Sequence, residues 1–218
     1  MRFQPVASAE DLVQRVEELG FLPFTYCGIP GLSVEELTPP EFWFQHGVEG
    51  PWEWRQQTID RFCYGKLLGR NAGFVSFRWF PALANTRRGG LDFEERYEDG
   101  RIPHEAKRLY ELLRTMPRTT PQLKSLAPGS DSAFDRAITS LMMSTDVLIV
   151  GFDSRIDSLG RPYGWGVSRY ALADQALGGM TRGAFDEDPE DSLGRMRAHI
   201  LSFCPDADAK AVERLLKA

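Results

Sequence analysis

The stretch from Thr119 to Tyr170 constrains the fold more than any other part of the chain. Thr119-Thr120-Pro121-Gln122-Leu123-Lys124-Ser125-Leu126-Ala127 reads as a short helix, with threonine at the cap and proline in the first turn, where a missing N–H costs little. Pro128-Gly129-Ser130 breaks it. Ser132-Ala133-Phe134-Asp135 reads as a capping box opening a second helix, with Phe134, Ala137, Ile138, Leu141 and Met142 on one face. Val147 to Phe152 is a compact apolar strand, Asp157 to Pro162 a turn, and Tyr163 to Tyr170 a returning strand. Ahead of them Pro103 opens a helix striped by Ala106, Leu109, Tyr110 and Leu113 and stopped before Pro117. Helix, turn, helix and hairpin in this order is the winged-helix order, in which the hairpin covers a helical core too small to hold together alone.

The first half is less regular. Ser8 with Asp11 opens a helix whose Leu12, Val13, Val16 and Leu19 share a face, and Gly20 closes it. Ser33-Val34-Glu35-Glu36 and Thr38-Pro39-Pro40-Glu41 look like two short helix starts. Phe62 to Leu68 and Ala72 to Ser76 are strand candidates joined by a turn at Arg70-Asn71. Residues 85–101 are polar and charge-dense, and a helix is expected from Glu190 to Phe203. The expected class is α/β in the broad sense, α+β in the narrower: a helical N-terminal half with a small β-hairpin, then a winged-helix module. The expected division is an aromatic-rich region over 1–104, the module over 105–180, and C-terminal helices over 181–218.

Charge is unevenly spread. The net charge is −5, yet residues 55–88 carry Arg55, Arg61, Lys66, Arg70, Arg78, Arg87 and Arg88 against Asp60 alone. Such a segment is either a footprint for a polyanion or a face that pairs with the acidic N-terminal stretch. By contrast the second helix of the module is almost neutral, since Asp135 cancels Arg136, and major-groove readers usually carry Arg, Asn or Gln there. That helix suits a dimerisation or protein-contact role as well as a groove, so a homodimer stays open. In the hairpin Arg155 and Arg161, with Arg169, are candidates for phosphate contact. No run approaches the ~18 apolar residues of a membrane helix, and the first residues lack an export-signal layout, so a cytoplasmic, membrane-free protein is expected.

Glu53 is the acid of most chemical interest. It stands between Trp52 and Trp54 after Gly50-Pro51, where apolar walls would raise a carboxyl pKa and suit a general base; the alternative is a strand with both indoles inward and Glu53 in solvent. Tyr64, Phe74 and Trp79 interleave with Lys66, Arg70 and Arg78 in the pattern of a stacking surface with phosphate contacts, although aromatics are more often core; Trp52 and Trp54 are further stacking candidates and Arg55 a further phosphate contact. Arg87-Arg88 beside Gly89-Gly90 reads as an exposed phosphate clamp, with Asn85 near it. Cys27, Cys63 and Cys204 and the three histidines, His46, His104 and His199, show no metal-ligand spacing, and no cofactor loop is present, so neither metal nor cofactor is expected.

Phe134 to Met143, the apolar strand after it, and Gly160 to Val167 resemble a bacterial group described as AlkZ-related. Gly50 to Arg55, Tyr64-Gly65-Lys66 and Ala72 to Ser76 resemble the same group. The resemblance implies winged-helix architecture and the handling of double-stranded or damaged DNA, since AlkZ-type winged-helix DNA glycosylases excise damaged bases. It does not carry over catalysis. Those enzymes use a Gln-apolar-Gln or Gln-apolar-Asp motif, and none of Gln4, Gln14, Gln45, Gln56, Gln57, Gln122 or Gln175 stands in one. The functional expectation is therefore DNA binding with a role in repair, glycosylase-like hydrolysis being left open. A non-enzymatic interaction module is the alternative.

Overall fold

The computed structural model describes residues 3–44, 47–157, 159–181 and 186–217, with the backbone alone for 162–165. His46, Gln45, Ser158 and the side chains at the centre of the Gly160–Val167 block therefore lie outside the described residues.

The first layer is built around α1 (Ala9–Leu19) and three short antiparallel strands. Ser8 Oγ accepts the Asp11 N–H at 3.1 Å, and Gly20 ends the helix at a φ of 75°. The chain turns directly into β1 (Phe21–Pro23), a strand too short to show a period in the sequence. After α2 (Val34–Leu37), a single 3-10 turn at 40–42 and α3 (Pro51–Gln57), β2 (Cys63–Leu68) and β3 (Asn71–Val75) complete the sheet in the order β1-β3-β2. Leu68 pairs with Asn71, so the hairpin turn is Gly69-Arg70, one residue earlier than expected. Both residues have positive φ, 59° and 67°, the conformation a two-residue hairpin loop needs to match strand twist. α4 (Phe80–Arg88) follows, and the polar, charge-dense stretch contains α5 (Phe93–Glu98), started by a reciprocal Asp92–Glu95 capping box.

The second layer has α6 (His104–Leu113), β4 (Arg118–Thr119), α7 (Thr120–Leu126), α8 (Asp131–Met143), β5 (Val147–Ile156) and β6 (Pro162–Leu172). Its sheet runs β4-β6-β5, antiparallel throughout. The helices and the long hairpin fall in the expected order; β4 is an addition, too short to leave a periodic signal. The N-cap of α8 lies two residues before the expected one: Ser130, in the expected breaker, accepts the Ala133 N–H at 3.2 Å. α9 (Ala173–Ala176), α10 (Pro189–Phe203) and α11 (Ala209–Leu216) close the chain.

Two hydrophobic clusters result. The larger joins α1, the first sheet and α4 to α10 and α11, through residues such as Leu12, Phe21, Phe74, Phe80, Met196 and Val212. The smaller lies among α6, α7, α8 and the second sheet, and includes Phe93 and Ile102. Between them sits a polar network. Asp146, 4% exposed, takes two hydrogen bonds from Arg96, at 2.6 and 3.1 Å. Ser144 Oγ donates to it at 2.5 Å, and Arg88 Nε stands 3.5 Å away. Arg88 also donates to the Thr145 carbonyl at 2.7 Å and to Asp174 at 3.1 Å.

Breaking such a pair leaves a buried charge short of its partner. Arg96→Met is expected to lower unfolding stability in urea by about 3 kcal/mol, and a double-mutant cycle with Asp146→Asn to show strong coupling. A loss below about 1 kcal/mol would mean that water reaches Asp146.

His199 on α10 gives a second measurable consequence. Its Nε2–H donates to the Leu19 carbonyl at 3.1 Å, and its ring stacks on Trp79 at 4.5 Å. Burial, the main cause, and the charge of Arg78 hold its pKa below the ordinary histidine value. The unfolded chain then binds the extra proton first, so this contribution to stability is present above about pH 6.5 and fades as pH falls through the lower folded value. Urea midpoints taken either side of that window are expected to drop more for the parent than for His199→Gln.

Candidate nucleic-acid interface

A groove of about 750 Å³ has α8 as its floor. The helix presents Ser132, Asp135, Arg136, Thr139, Ser140 and Ser144 to it. One wall is the β2–β3 hairpin, with Lys66 and Arg70; the other is the segment Arg101-Ile102-Pro103; Arg87 and Arg96 also line it. Asp135 is the one carboxylate among these residues.

The wall of β2 is held close by small and soft groups. A Cβ on Gly65 would come within 3.1 Å of the Met142 sulfur, so glycine lets the strand approach α8. The Lys66 N–H points at the same sulfur at 3.4 Å, and the Arg70 N–H at that of Met143 at 3.2 Å. Lys66 Nζ reaches Thr139 Oγ1 at 3.3 Å. Among the described residues no carboxylate pairs with Lys66, Arg70 or Arg136; Arg136 donates to Ser132 Oγ at 2.6 Å, and Arg101 pairs with exposed Asp99 at 3.4 Å.

Arg87 and Arg88 are not an exposed clamp. Arg88, 3% exposed, belongs to the Asp146 network. Arg87 is half-buried and donates to the carbonyls of Met143, Leu215 and Leu216 at 2.9 to 3.0 Å. These are the last residues of α8 and α11, so its charge meets the negative ends of two helix dipoles. Burial lowers its pKa to about 9, which leaves it charged at neutral pH. Asn85 is likewise buried, donating to the Glu187 carbonyl and Ser192.

Nor do the expected stacking residues form an open surface. Trp54, Tyr64 and Trp79 are buried in the larger core, and Trp52 is half-buried, 4.4 Å from the Phe24 ring centroid. Their alternation with basic residues reflects strand and helix faces, apolar inward and charged outward. Arg55 lies inside this aromatic group, 4.2 Å over Phe152 and 4.9 Å over Trp52, and donates to the Tyr64 hydroxyl at 3.1 Å. It ties α3 to β5 by cation–π contact. Arg78 is exposed and stands over Trp79, outside the groove. On the hairpin, Arg161 pairs with Asp157 at 3.0 Å and Arg169 with Asp153, while Arg155 is exposed.

Glu53 falls on a helix, not the strand considered as the alternative. Pro51 stands at the first position of α3, and the Glu53 carboxylate, at its third, accepts the Gly50 N–H at 2.9 Å. Gly50 is required there, since a Cβ would lie 2.0 Å from the Phe42 carbonyl oxygen. Groups of three or more His, Cys, Asp or Glu able to hold a metal are absent among the described residues, and no described helix is long and apolar enough to cross a membrane.

The cap gives Glu53 a measurable weight. Glu53→Ala is expected to cost about 1 kcal/mol in urea unfolding, and Glu53→Gln, which keeps an acceptor for the Gly50 N–H, distinctly less. Equal losses in the two variants would show that the carboxylate charge, not the hydrogen bond, carries the effect.

Lys66 and Arg70 are visible in the sequence, but Arg101 carries no signal of its own there, because only the packing around α8 brings it to the same groove. Comparison with curated proteins and with solved structures gives no match. A family model described as AlkZ related matches residues 6–217, nearly the whole chain. This chain belongs to the AlkZ-related family.

Proposed function

We propose that the protein binds DNA, and that the groove over α8 is where it does so. The observation that carries this reading is the gathering of Lys66, Arg70 and Arg136 around one concave surface with no carboxylate paired to them among the described residues. Cations so placed release counterions when a phosphate backbone replaces them, and that release drives sequence-independent affinity. Membership of the AlkZ-related family supports DNA as the polyanion, and a repair setting with it. The elements from α6 to β6 are read as a winged-helix module, whose sheet order and three helices suit that reading. Damaged duplex is the substrate that the family resemblance implies; among the described lining residues the one acid is exposed Asp135.

Dimerisation through α8 is the less favoured use of the same face. Stable homodimer interfaces are apolar at their centre, and Ser132, Asp135, Arg136, Thr139 and Ser140 make this face polar.

The test is fluorescence anisotropy with labelled DNA over a salt series. Arg70→Glu combined with Arg136→Glu is expected to weaken binding about tenfold or more and to flatten the salt dependence. Lys210→Glu, on the exposed side of α11, should leave both unchanged. Failure to bind DNA of any form at low salt would end the proposal.

A further inference from the structure

The groove has a shape that separates one form of DNA from another. In a major-groove reader the recognition helix stands proud, and a helix with its side chains, about 10–12 Å across, already fills a groove about 12 Å wide. α8 does not stand proud. The β2–β3 hairpin lies along one side of it in direct contact, through Gly65, Lys66 and Arg70, and Arg101 to Pro103 rise on the other. Helix plus hairpin exceeds what a major groove admits, and the face between the two walls is concave.

From this, and resting on the DNA-binding reading above, we infer that the groove takes the sugar–phosphate backbone of a single unpaired strand, laid along α8 between Lys66 and Arg70 on one wall and Arg101 on the other. The lining chemistry agrees. Basic groups on both walls suit a backbone passing between them, while Ser132, Thr139 and Ser140 on the floor supply hydroxyls for phosphate and sugar oxygens. Among the described residues no aromatic side chain lines the groove, so the proposed mode does not stack bases inside it. The strand lies phosphates inward and bases outward, which makes recognition tolerant of sequence and distinct from the stacking platforms of many single-strand binders. Unpaired DNA of this kind occurs at gaps, frayed ends and helix-distorting damage.

The experiment measures anisotropy of one labelled oligonucleotide, free and annealed into a blunt duplex, with the parent protein and with Lys66→Glu/Arg70→Glu. Circular dichroism melts establish that the variant is folded. The single strand is expected to bind about tenfold tighter than the duplex, with a log–log salt slope of roughly −2 to −3 for three or four phosphates. The variant should lose most of that preference. Duplex binding equal to or tighter than single-strand binding overturns this inference while leaving DNA binding intact. A single-strand preference that survives the double substitution overturns the assignment to the groove. Absence of binding to either form removes both readings.

Discussion

Between the two hydrophobic clusters lies a carboxylate that water hardly reaches, and much of the arrangement follows from satisfying it. Asp146 sits where the chain leaves α8, three residues beyond the helix and one before β5. A buried anion of this kind is tolerable only with close, well-directed donors. Arg96 from α5 supplies two, Ser144 a third, and Arg88 from α4 a neighbouring positive charge. The Thr145 backbone beside it adopts a φ of 64°, uncommon for a β-branched residue, and its carbonyl and hydroxyl both accept from Arg88. Three segments distant in sequence are thereby fixed at the C-terminal end of α8.

That fixation sets the groove. Once Arg88 is committed to Asp146 and Asp174, its neighbour Arg87 projects to the ends of α8 and α11 and clamps the two helices through their terminal carbonyls. The first sheet is carried on the same layer as α4, so β2 comes to rest along α8 and delivers Lys66 and Arg70 to its exposed face. The near-neutral helix is thus made basic by side chains it does not contain. Reading α8 alone understates its electrostatics; the field over its surface belongs to the packing.

The elements with strong local signals were legible. Ser8, Gly20 and Ser33 marked helix ends through backbone chemistry that involves no distant partner, and the apolar stripe of α8 and the run Val147 to Phe152 followed from period alone. Short elements were not: β1 and β4 exist by pairing with β3 and β6, and three or two residues leave no period to read. The same limit governed the site. Clustering of Arg and Lys over 55–88 was correctly seen as unusual, but exposure was not available from sequence. Arg87 and Arg88 look like a free clamp beside two glycines; Gly89, at φ 63°, is simply the cap that ends α4. Tyr64 and Trp79 alternate with basic residues because each chain segment has an inner and an outer face, which produces the same pattern as a stacking surface.

The Asp146–Arg96 pair also explains how an acidic protein can present a basic groove. Arg96 lines the groove over α8, whereas Asp146 lines a separate cavity of about 200 Å³ together with Asp92, Glu94 and Asp174 and with Arg88 and Arg114. The pair therefore lies across the boundary between two surfaces, guanidinium toward one and carboxylate toward the other. Among the lining residues six cations stand against Asp135 in the groove, and four acids against Arg88 and Arg114 in the cavity, so a net charge of −5 coexists with a local excess of cations. Field strength in a cleft depends on the charges that line it and on its low-dielectric walls, not on the total carried by the chain.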